Sequence, residues 1–382
     1  MAIGPSRRLM SALGAALGSA ALGATVLAPP ATAAPATAVT SDPLRDQQWG
    51  LDQIRAEQTW PTSTGSGAVV AVVDSGVDLT HPDLQDNLVG GATFIDCGNS
   101  GGPCGNGDWK GPDGVGQDPD AHGTHVSGTV AAVTDNGIGV AGVAPDASFM
   151  PIKALEDGSG SFEDIALGIR YAVDHGADVV NMSLGAAPGV QALTITGLES
   201  SVTEAIAYAD SRGVLVVAAA GNESFPVCDT PSFEPGALCV TSTTREETPA
   251  YYSNGAIKPD TFSVAGPGGA GLLSCADDIV STVPLGTGSA FCGESDYDYY
   301  AGTSMATPHV AGVAALLFAQ GRTLDNVKSA LVDTARTPGL GTGLFTTSYG
   351  HGIVDALAAT AFEGAAPTAP TNGKGGGKSK NG

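Results

Sequence analysis

Ser304 lies in a segment whose residue types suit a nucleophilic hydroxyl. Gly302 precedes it and permits a sharp backbone turn, and the apolar run Val310–Leu317 predicts a helix after it. Ser304 would then lie at a helix N-terminus, where free N–H groups and the helix dipole favour a developing anion. We expect Pro308 to fall in the first helical turn, where its missing N–H is not needed. Serine is also a favoured helix cap, so this segment alone fits a cap as well as a nucleophile.

A serine hydroxyl is a weak nucleophile and requires a general base, which a third group orients. Two upstream segments contain candidates for these roles. The run Val69–Val73 predicts a buried parallel strand, and Asp74 follows at its carboxyl end, where open α/β sheets bind ligands. His122 lies in a turn that opens a helix of small residues. Taken singly, Asp74 could be a cap and His122 a surface residue.

Together, in the order Asp, His, Ser, these segments resemble the signature blocks of the subtilisin-like serine proteases (subtilases). The three blocks are Val69–Gly76, Asp120–Thr129 and Gly302–His309. The resemblance extends from about Asp42 to Ala359. The Met-Ala-Thr-Pro sequence after Ser304 favours subtilases over the related sedolisins, whose triad uses a glutamate.

The resemblance implies a role for each candidate. Ser304 would be the nucleophile, His122 the general base and then acid, and Asp74 the group that orients His122. His125, the second histidine of the block, would be structural. Asn222 follows another predicted strand and would donate its side-chain N–H to the oxyanion. An asparagine after a strand is also a common turn residue.

Two further segments resemble the edges that bind substrate main chain in subtilases. Together they would clamp an extended peptide as an added strand, although a plain strand and a plain turn are the alternative. The residues concerned are Ser183, Leu184 and Gly185 on one edge and Gly158, Ser159 and Gly160 on the other. The resemblance places Asp229 or Thr230 near the base of the P1 pocket, which receives the side chain before the scissile bond. An acid there would favour Lys or Arg, but we prefer to interpret Asp229 as a solvated loop acid.

The resemblance also implies structural calcium. Thr134–Val140 resembles the subtilase loop that supplies ligands at alternate positions, partly through backbone carbonyls. Hard oxygen donors of this kind suit Ca²⁺, whereas the alternative is a Gly/Asn turn near unrelated acids. The expected ligands are Asp42, Asp83, Thr134, Asn136, Ile138 and Val140.

The first 33 residues have the pattern of a secretory signal peptide. Arg7 and Arg8 precede the apolar run Leu9–Ala28, and Ala31-Thr32-Ala33 resembles a cleavage site. Twin-arginine export and an uncleaved membrane anchor are alternatives, but the Ala/Gly-rich run and the cleavage site favour ordinary secretion. We therefore expect an extracellular protein that is not attached to a membrane once the signal is removed.

Six cysteines suit an oxidising compartment. Many connectivities are possible, and proximity along the chain favours three local pairs. These pairs are Cys97 with Cys104, Cys228 with Cys239 and Cys275 with Cys292. The sequence contains no Cys-x-x-Cys pair that would favour metal ligation instead.

Charge and composition narrow the class of protein. The net charge of −23 excludes nucleic-acid binding driven by charge. Only 14% of residues are charged and 42% are hydrophobic, which indicates a packed globular core rather than disorder. We expect a monomer.

Strand-like and helix-like runs alternate, which predicts one doubly wound α/β domain with a mostly parallel sheet and helices on both faces, as in subtilisins. The expected organisation is a signal peptide (1–33), a short segment (34–41), the catalytic domain (42–362) and a disordered Gly/Pro/Lys-rich tail (363–382). The short segment leaves no room for the folding propeptide of many secreted subtilases.

The sequence therefore predicts a secreted, calcium-stabilised serine endopeptidase that cleaves extended polypeptides through an acyl-enzyme. One alternative is a narrow processing protease for a single exported precursor. Another is a peptide-binding pseudoenzyme, which would require a broken triad.

Overall fold

The computed structural model describes residues 40–97, 104, 118–186, 190–191, 200–272, 274–289, 291–292 and 294–363. The predicted signal peptide, nearly all of the predicted tail and most of the segment 97–120 lie outside these residues. Within them, no helix has the length and apolar character needed to cross a membrane.

Seven α-helices and eleven β-strands make up the regular structure of the described residues. The helices are α1 (Trp49–Gln53), α2 (His122–Ala131), α3 (Phe162–Asp174), α4 (Ser201–Ser211), α5 (Thr303–Ala319), α6 (Leu324–Asp333) and α7 (Ala356–Ala361). The strands are β1 (Val69–Asp74), β2 (Ala92–Thr93), β3 (Ser148–Lys153), β4 (Val179–Met182), β5 (Leu215–Ala219), β6 (Leu238–Thr243), β7 (Ser263–Pro267), β8 (Ile279–Thr282), β9 (Tyr297–Tyr300), β10 (Arg336–Thr337) and β11 (Gly341–Thr342).

The central sheet has seven parallel strands in the order β2-β3-β1-β4-β5-β6-β7. Strand β1 lies between β3 and β4, so the strand order reverses beside it. Open α/β sheets bind their ligands at such a reversal, beyond the carboxyl ends of the strands. Asp74 is the last residue of β1 and therefore lies at this position.

Helices pack against both faces of the sheet. Successive side chains of a strand point to opposite sides, so each strand contributes apolar residues to both faces. Val70 and Val179 pack in one apolar cluster with residues of α5, α6 and α7. Ala71 and Val180, one position further along, pack in a second cluster with residues of α3 and α4. The predicted doubly wound α/β domain is confirmed.

Helix α5 passes through the core, and its residues from Met305 to Leu317 are all buried. Gly312 allows this close packing, since a Cβ atom there would lie 2.6 Å from Cβ of Val143. The expectation that Pro308 falls in the first turn is wrong, because α5 begins at Thr303 and Pro308 lies inside it. The missing N–H of Pro308 leaves the carbonyl oxygen of Ser304 without its helical donor.

Three disulfide bonds join cysteines that are close in sequence. They connect Cys97 to Cys104, Cys228 to Cys239 and Cys275 to Cys292. Each bond closes a short loop, and no cysteine is left free.

Candidate active site

Asp74 and His122 form a hydrogen-bonded pair where β1 ends and α2 begins. His122 Nδ1 lies 2.8 Å from Asp74 Oδ1, and the two side chains are 29% and 1% exposed. Burial alone would lower the pKa of His122, but the negative charge of Asp74 and its hydrogen bond outweigh burial and raise that pKa. The pair therefore has the geometry of a general base and the carboxylate that orients it.

A second buried carboxylate, Asp118, fixes this pair in position. Asp118 accepts hydrogen bonds from the backbone N–H of Thr124 (2.8 Å) and from the hydroxyl of Ser75 (2.7 Å). The Ser75 oxygen in turn accepts the N–H of Gly123 (3.0 Å). These bonds tie the end of β1 to the first turn of α2. Asp118 was not among the residues predicted from the sequence, although an acid shortly before a predicted helix is a capping signal.

Ser304 lies in the first turn of α5 and faces the same cavity as His122. The cavity has a volume of about 760 Å³, and Asp74, His122 and Ser304 all contribute to its lining. The Ser304 hydroxyl donates to the carbonyl oxygen of Ser183 at 3.1 Å. It must therefore rotate away from that carbonyl before it can donate to His122.

Asn222 lies close to Ser304 and is held by Thr303, the residue that precedes Ser304. Its side-chain oxygen accepts hydrogen bonds from the backbone N–H (2.9 Å) and the hydroxyl (3.0 Å) of Thr303. Its amide nitrogen has no acceptor among the residues the structure describes. Together with the backbone N–H of Ser304 in the first helical turn, it forms a pair of donors suited to an oxyanion.

The two predicted substrate edges, Ser183–Gly185 and Gly158–Gly160, both line this cavity. The second edge contains a tight turn, in which Glu156 and Ser159 exchange backbone hydrogen bonds of 2.8 and 3.0 Å. Gly160 cannot be replaced without movement, because a Cβ atom there would lie 2.3 Å from the Ala154 carbonyl oxygen. Both edges therefore border the same space as Ser304.

Comparison with known proteins assigns the family. The model of the subtilase family matches residues 65–352, three quarters of the chain. The chain belongs to the subtilase family. It is a serine endopeptidase and acts on polypeptides.

Named relatives agree with this assignment. Thermitase of Thermoactinomyces vulgaris is 38% identical over 305 residues, which cover 79% of this chain and 94% of that protein. Subtilisin E of Bacillus subtilis is 37% identical over 319 residues, which cover 81% of this chain and 70% of that protein. A solved protease structure from Pseudoalteromonas arctica superimposes with a TM-score of 0.70 at 37% identity, covering 84% of this chain and 98% of that chain.

Asp229 of this subtilase is not the solvated loop acid that we preferred from the sequence. It is 1% exposed, and its Oδ1 accepts a 2.7 Å hydrogen bond from Gln191. Burial, together with the hydrogen bond and negative charge of Glu223, raises the pKa of Asp229 to about 7. Thr230 lines the substrate cavity, whereas Asp229 lies behind it and against Gly185.

His125 is buried beneath the active site of the subtilase. Its Nε2 lies within hydrogen-bond distance of the carbonyl oxygens of Ile279 (3.0 Å) and Asp298 (3.2 Å), and its ring stacks on Tyr300. Burial lowers the pKa of His125 to about 3, so the ring is neutral. These contacts support the structural role inferred from the sequence.

The predicted calcium loop encloses two carboxylates. Asp42 accepts the backbone N–H of Asp135 (2.9 Å), and Asp83 accepts hydrogen bonds from Val140 N (3.0 Å) and Asn136 Nδ2 (2.7 Å). Burial raises the pKa of Asp83 to about 6, and the charge of Asp42 adds to the effect. Among the described residues, no lysine or arginine pairs with either carboxylate.

A cation in the loop 134–140 would be held by a mixed set of carboxylate, amide and backbone carbonyl oxygens rather than by a cluster of acidic side chains. The described residues contain no group of three or more His, Cys, Asp or Glu side chains suited to a metal. The backbone carbonyls of Thr134, Ile138 and Val140, however, accept no hydrogen bond within the described part of the chain. Two carboxylates, one amide and three free carbonyls form a donor set that fits Ca²⁺.

Proposed function

We propose that this subtilase is a secreted endopeptidase in which Asp74, His122 and Ser304 form the catalytic triad and Asn222 contributes to the oxyanion hole. The cavity that Asp74, His122 and Ser304 share supports the proposal most strongly. It joins the Asp74–His122 pair, the Ser304 hydroxyl and both substrate edges in one space. That arrangement is what acyl transfer to a serine requires.

Acylation begins when a polypeptide lies between the two edges with its scissile carbonyl above Ser304. The Ser304 hydroxyl turns from the Ser183 carbonyl to Nε2 of His122, which takes the proton as the Oγ–C bond forms. Asp74 accepts the N–H of the imidazolium and stabilises its charge. The amide N–H of Asn222 and the backbone N–H of Ser304 donate to the oxyanion, which stabilises the transition state.

The first tetrahedral intermediate then collapses to an acyl-enzyme, which water hydrolyses through a second one. His122 donates its proton to the leaving amine as the C–N bond breaks, which leaves an ester on Ser304. A water molecule loses a proton to His122 and attacks the ester carbonyl. The proton returns to Ser304 Oγ as the ester bond breaks, which releases the carboxylic acid product.

Calcium is part of the proposal as a structural ion. Asp42, Asp83 and Asn136 would supply side-chain oxygens, and Thr134, Ile138 and Val140 would supply carbonyl oxygens. Bound Ca²⁺ would neutralise two carboxylates that have no cationic partner among the described residues. It would thereby hold the N-terminal arm against the loop 134–140.

Secretion is proposed from the N-terminal sequence and from the disulfide bonds. The predicted signal peptide lies outside the described residues, but three disulfide bonds are typical of an oxidising compartment. Mass spectrometry of the N-terminus of the protein in the culture medium tests this. We expect a start at Ala34, or near Asp42 where the short segment 34–41 is also removed, whereas an intact residue 1 would contradict secretion through a cleaved signal.

The mechanism is tested by Ser304→Ala. We expect a loss of more than roughly 10⁴-fold in kcat/KM for a peptide substrate, together with loss of fluorophosphonate labelling. Ser329→Ala, at an exposed position of α6, is the matched control and should behave as wild type. Survival of both activity and labelling in Ser304→Ala would show that the triad assignment is wrong. A wild-type protein that binds peptides without cleaving them would indicate a pseudoenzyme.

A further inference from the structure

The cavity that contains Ser304 and His122 has an acidic wall. Its lining includes the carboxylates of Asp74 and Asp120, and no lysine or arginine of the described chain lines it. Asp74 is engaged by His122. Asp120, by contrast, forms no ion pair with any residue that the structure describes.

Asp120 is held at a fixed place beside the general base. It lies two residues before His122, and the residue between them, Ala121, has a left-handed backbone with φ of 58°. Oδ2 of Asp120 accepts a 3.0 Å hydrogen bond from the N–H of Gly158, which belongs to one substrate edge. Oδ1 has no donor in the described chain. The carboxylate therefore spans from the start of α2 to the substrate edge and keeps one oxygen for a ligand.

Lys153 is a buried cation that does not line the cavity and so does not pair with Asp120 there. Lys153 is 0% exposed, and its ammonium donates to the backbone carbonyl of Ser75 at 2.7 Å. The ammonium also lies 4.0 Å from the carboxylate of Glu156. Lys153 is therefore buried and already engaged, and it does not line the cavity beside Asp120.

The geometry of an extended substrate determines which side chain meets Asp120. Side chains of a strand alternate between its two sides. In the proposed binding mode the P1 side chain would enter the part of the cavity lined by Ser183–Ala186 and Thr230. Its neighbour on the N-terminal side, P2, would then point the other way, and His122 and Asp120 are the lining residues that we assign to it.

We propose that Asp120 selects substrates with a basic side chain, Lys or Arg, at P2. The inference rests on the proposed function, since it places the scissile bond at Ser304. An ammonium or guanidinium group at P2 forms a charge-assisted hydrogen bond with Asp120 Oδ1 in a partly enclosed site, where the attraction exceeds that in open water. A neutral or acidic P2 residue leaves the carboxylate unpaired or repelled.

Three quenched fluorescent peptides that differ only at P2 test the proposal. P2 is Arg, citrulline, which has nearly the same shape without the charge, or Glu. For the wild type we expect kcat/KM to be about tenfold higher with Arg than with citrulline, equivalent to about 1.4 kcal/mol, and lowest with Glu. Salt should reduce the ratio, because it screens the charges.

Two variants assign the effect to one carboxylate. In Asp120→Asn the Arg/citrulline ratio should fall to about one, with the loss confined mainly to the Arg peptide. Asp146→Asn removes an equal charge at an exposed position outside the cavity and should keep the wild-type ratio.

A wild-type ratio near one, or a high ratio that survives in Asp120→Asn, would overturn the proposal. If Asp120→Asn does not fold, the wild-type ratio and its salt dependence decide. Failure of the proposed function is distinguishable, because no peptide would then be cleaved and Ser304 would not react with a fluorophosphonate.

Discussion

The hydroxyl of Ser183 donates a 2.8 Å hydrogen bond to the backbone carbonyl oxygen of Ser304. This carbonyl would normally accept the N–H of the residue four positions later in α5, but that residue is Pro308 and has no N–H. The amide of Asn181 holds the Ser183 oxygen at 3.0 Å. A gap in the helix that carries Ser304, the proposed nucleophile, is thus filled by the segment that we propose binds substrate.

Ser183→Ala should leave the Ser304 carbonyl without a donor in a buried setting. We expect a loss of about 1–3 kcal/mol in the free energy of unfolding. Pro308→Ala restores the helical N–H, so the double variant should lose less than the sum of the two single variants. Chemical denaturation of all four proteins in a Ser304→Ala background, which prevents self-digestion, measures this coupling. Strict additivity would show that the two bonds do not substitute for each other.

Asp118→Asn should change the pH dependence of catalysis. The charge of Asp118 helps to raise the pKa of His122, after the larger effects of burial and Asp74. His122 must be neutral to accept a proton, so lowering its pKa moves the acid limb of kcat/KM to lower pH. We expect the acid limb to move to lower pH and kcat to fall several-fold. Asp146→Asn is the control, and an unchanged limb in Asp118→Asn would limit Asp118 to capping α2.

Asp229→Asn should stabilise the protein only at higher pH. The folded state raises the pKa of Asp229 to about 7 from its usual 3.8. The folded protein therefore binds a proton at Asp229 more tightly than the unfolded chain does. This contribution therefore destabilises the folded state increasingly as pH rises from about 4 to about 7. We expect equal thermal midpoints near pH 4 and a variant more stable by about 1–3 kcal/mol at pH 8.

Thermal unfolding between pH 4 and pH 8, with calcium in excess and Ser304→Ala in both proteins, measures the Asp229 effect. Glu204→Gln, at an exposed position of α4, is a charge-matched control and should show no such trend. A difference that stays constant with pH would mean that Asp229 is ionised in the folded protein throughout.

Removal of calcium should lower the thermal midpoint. A ligand that binds only the folded state at about one hundred times its Kd contributes about 2.7 kcal/mol. We expect a chelator to remove this contribution, Ca²⁺ to restore it, and Mg²⁺ to restore little, because the larger oxygen cage suits calcium. In Asp83→Asn the chelator should have a much smaller effect. A wild-type midpoint that the chelator leaves unchanged would argue against the calcium site.

The sequence predicted the elements that depend on local patterns. The apolar run before Asp74 indicated β1, and the small apolar residues after Ser304 indicated α5. Both follow from periodicity and turn residues within a short stretch of chain. The predictions of the substrate edges and the calcium loop depended on family resemblance, because binding through backbone atoms does not require particular side chains.

What the sequence did not reveal depends on residues far apart in the chain. Ser183 and Ser304 are 121 positions apart, so nothing near Pro308 indicates which group replaces its N–H. Asp229 is buried because Gln191 and Glu223 lie against it, whereas its own neighbours resemble an ordinary loop. Asp118 could have been recognised as a helix cap, but its bond to Ser75 required the structure.

Helix α5 carries Ser304, the proposed nucleophile, at its first turn and then runs through the apolar core. Loops at the surface can open without disturbing it, whereas α5 can separate from its surroundings only when the whole domain unfolds. Catalytic competence is therefore all-or-none. A population that has lost half its activity by heating contains fully active and fully inactive molecules rather than uniformly weakened ones.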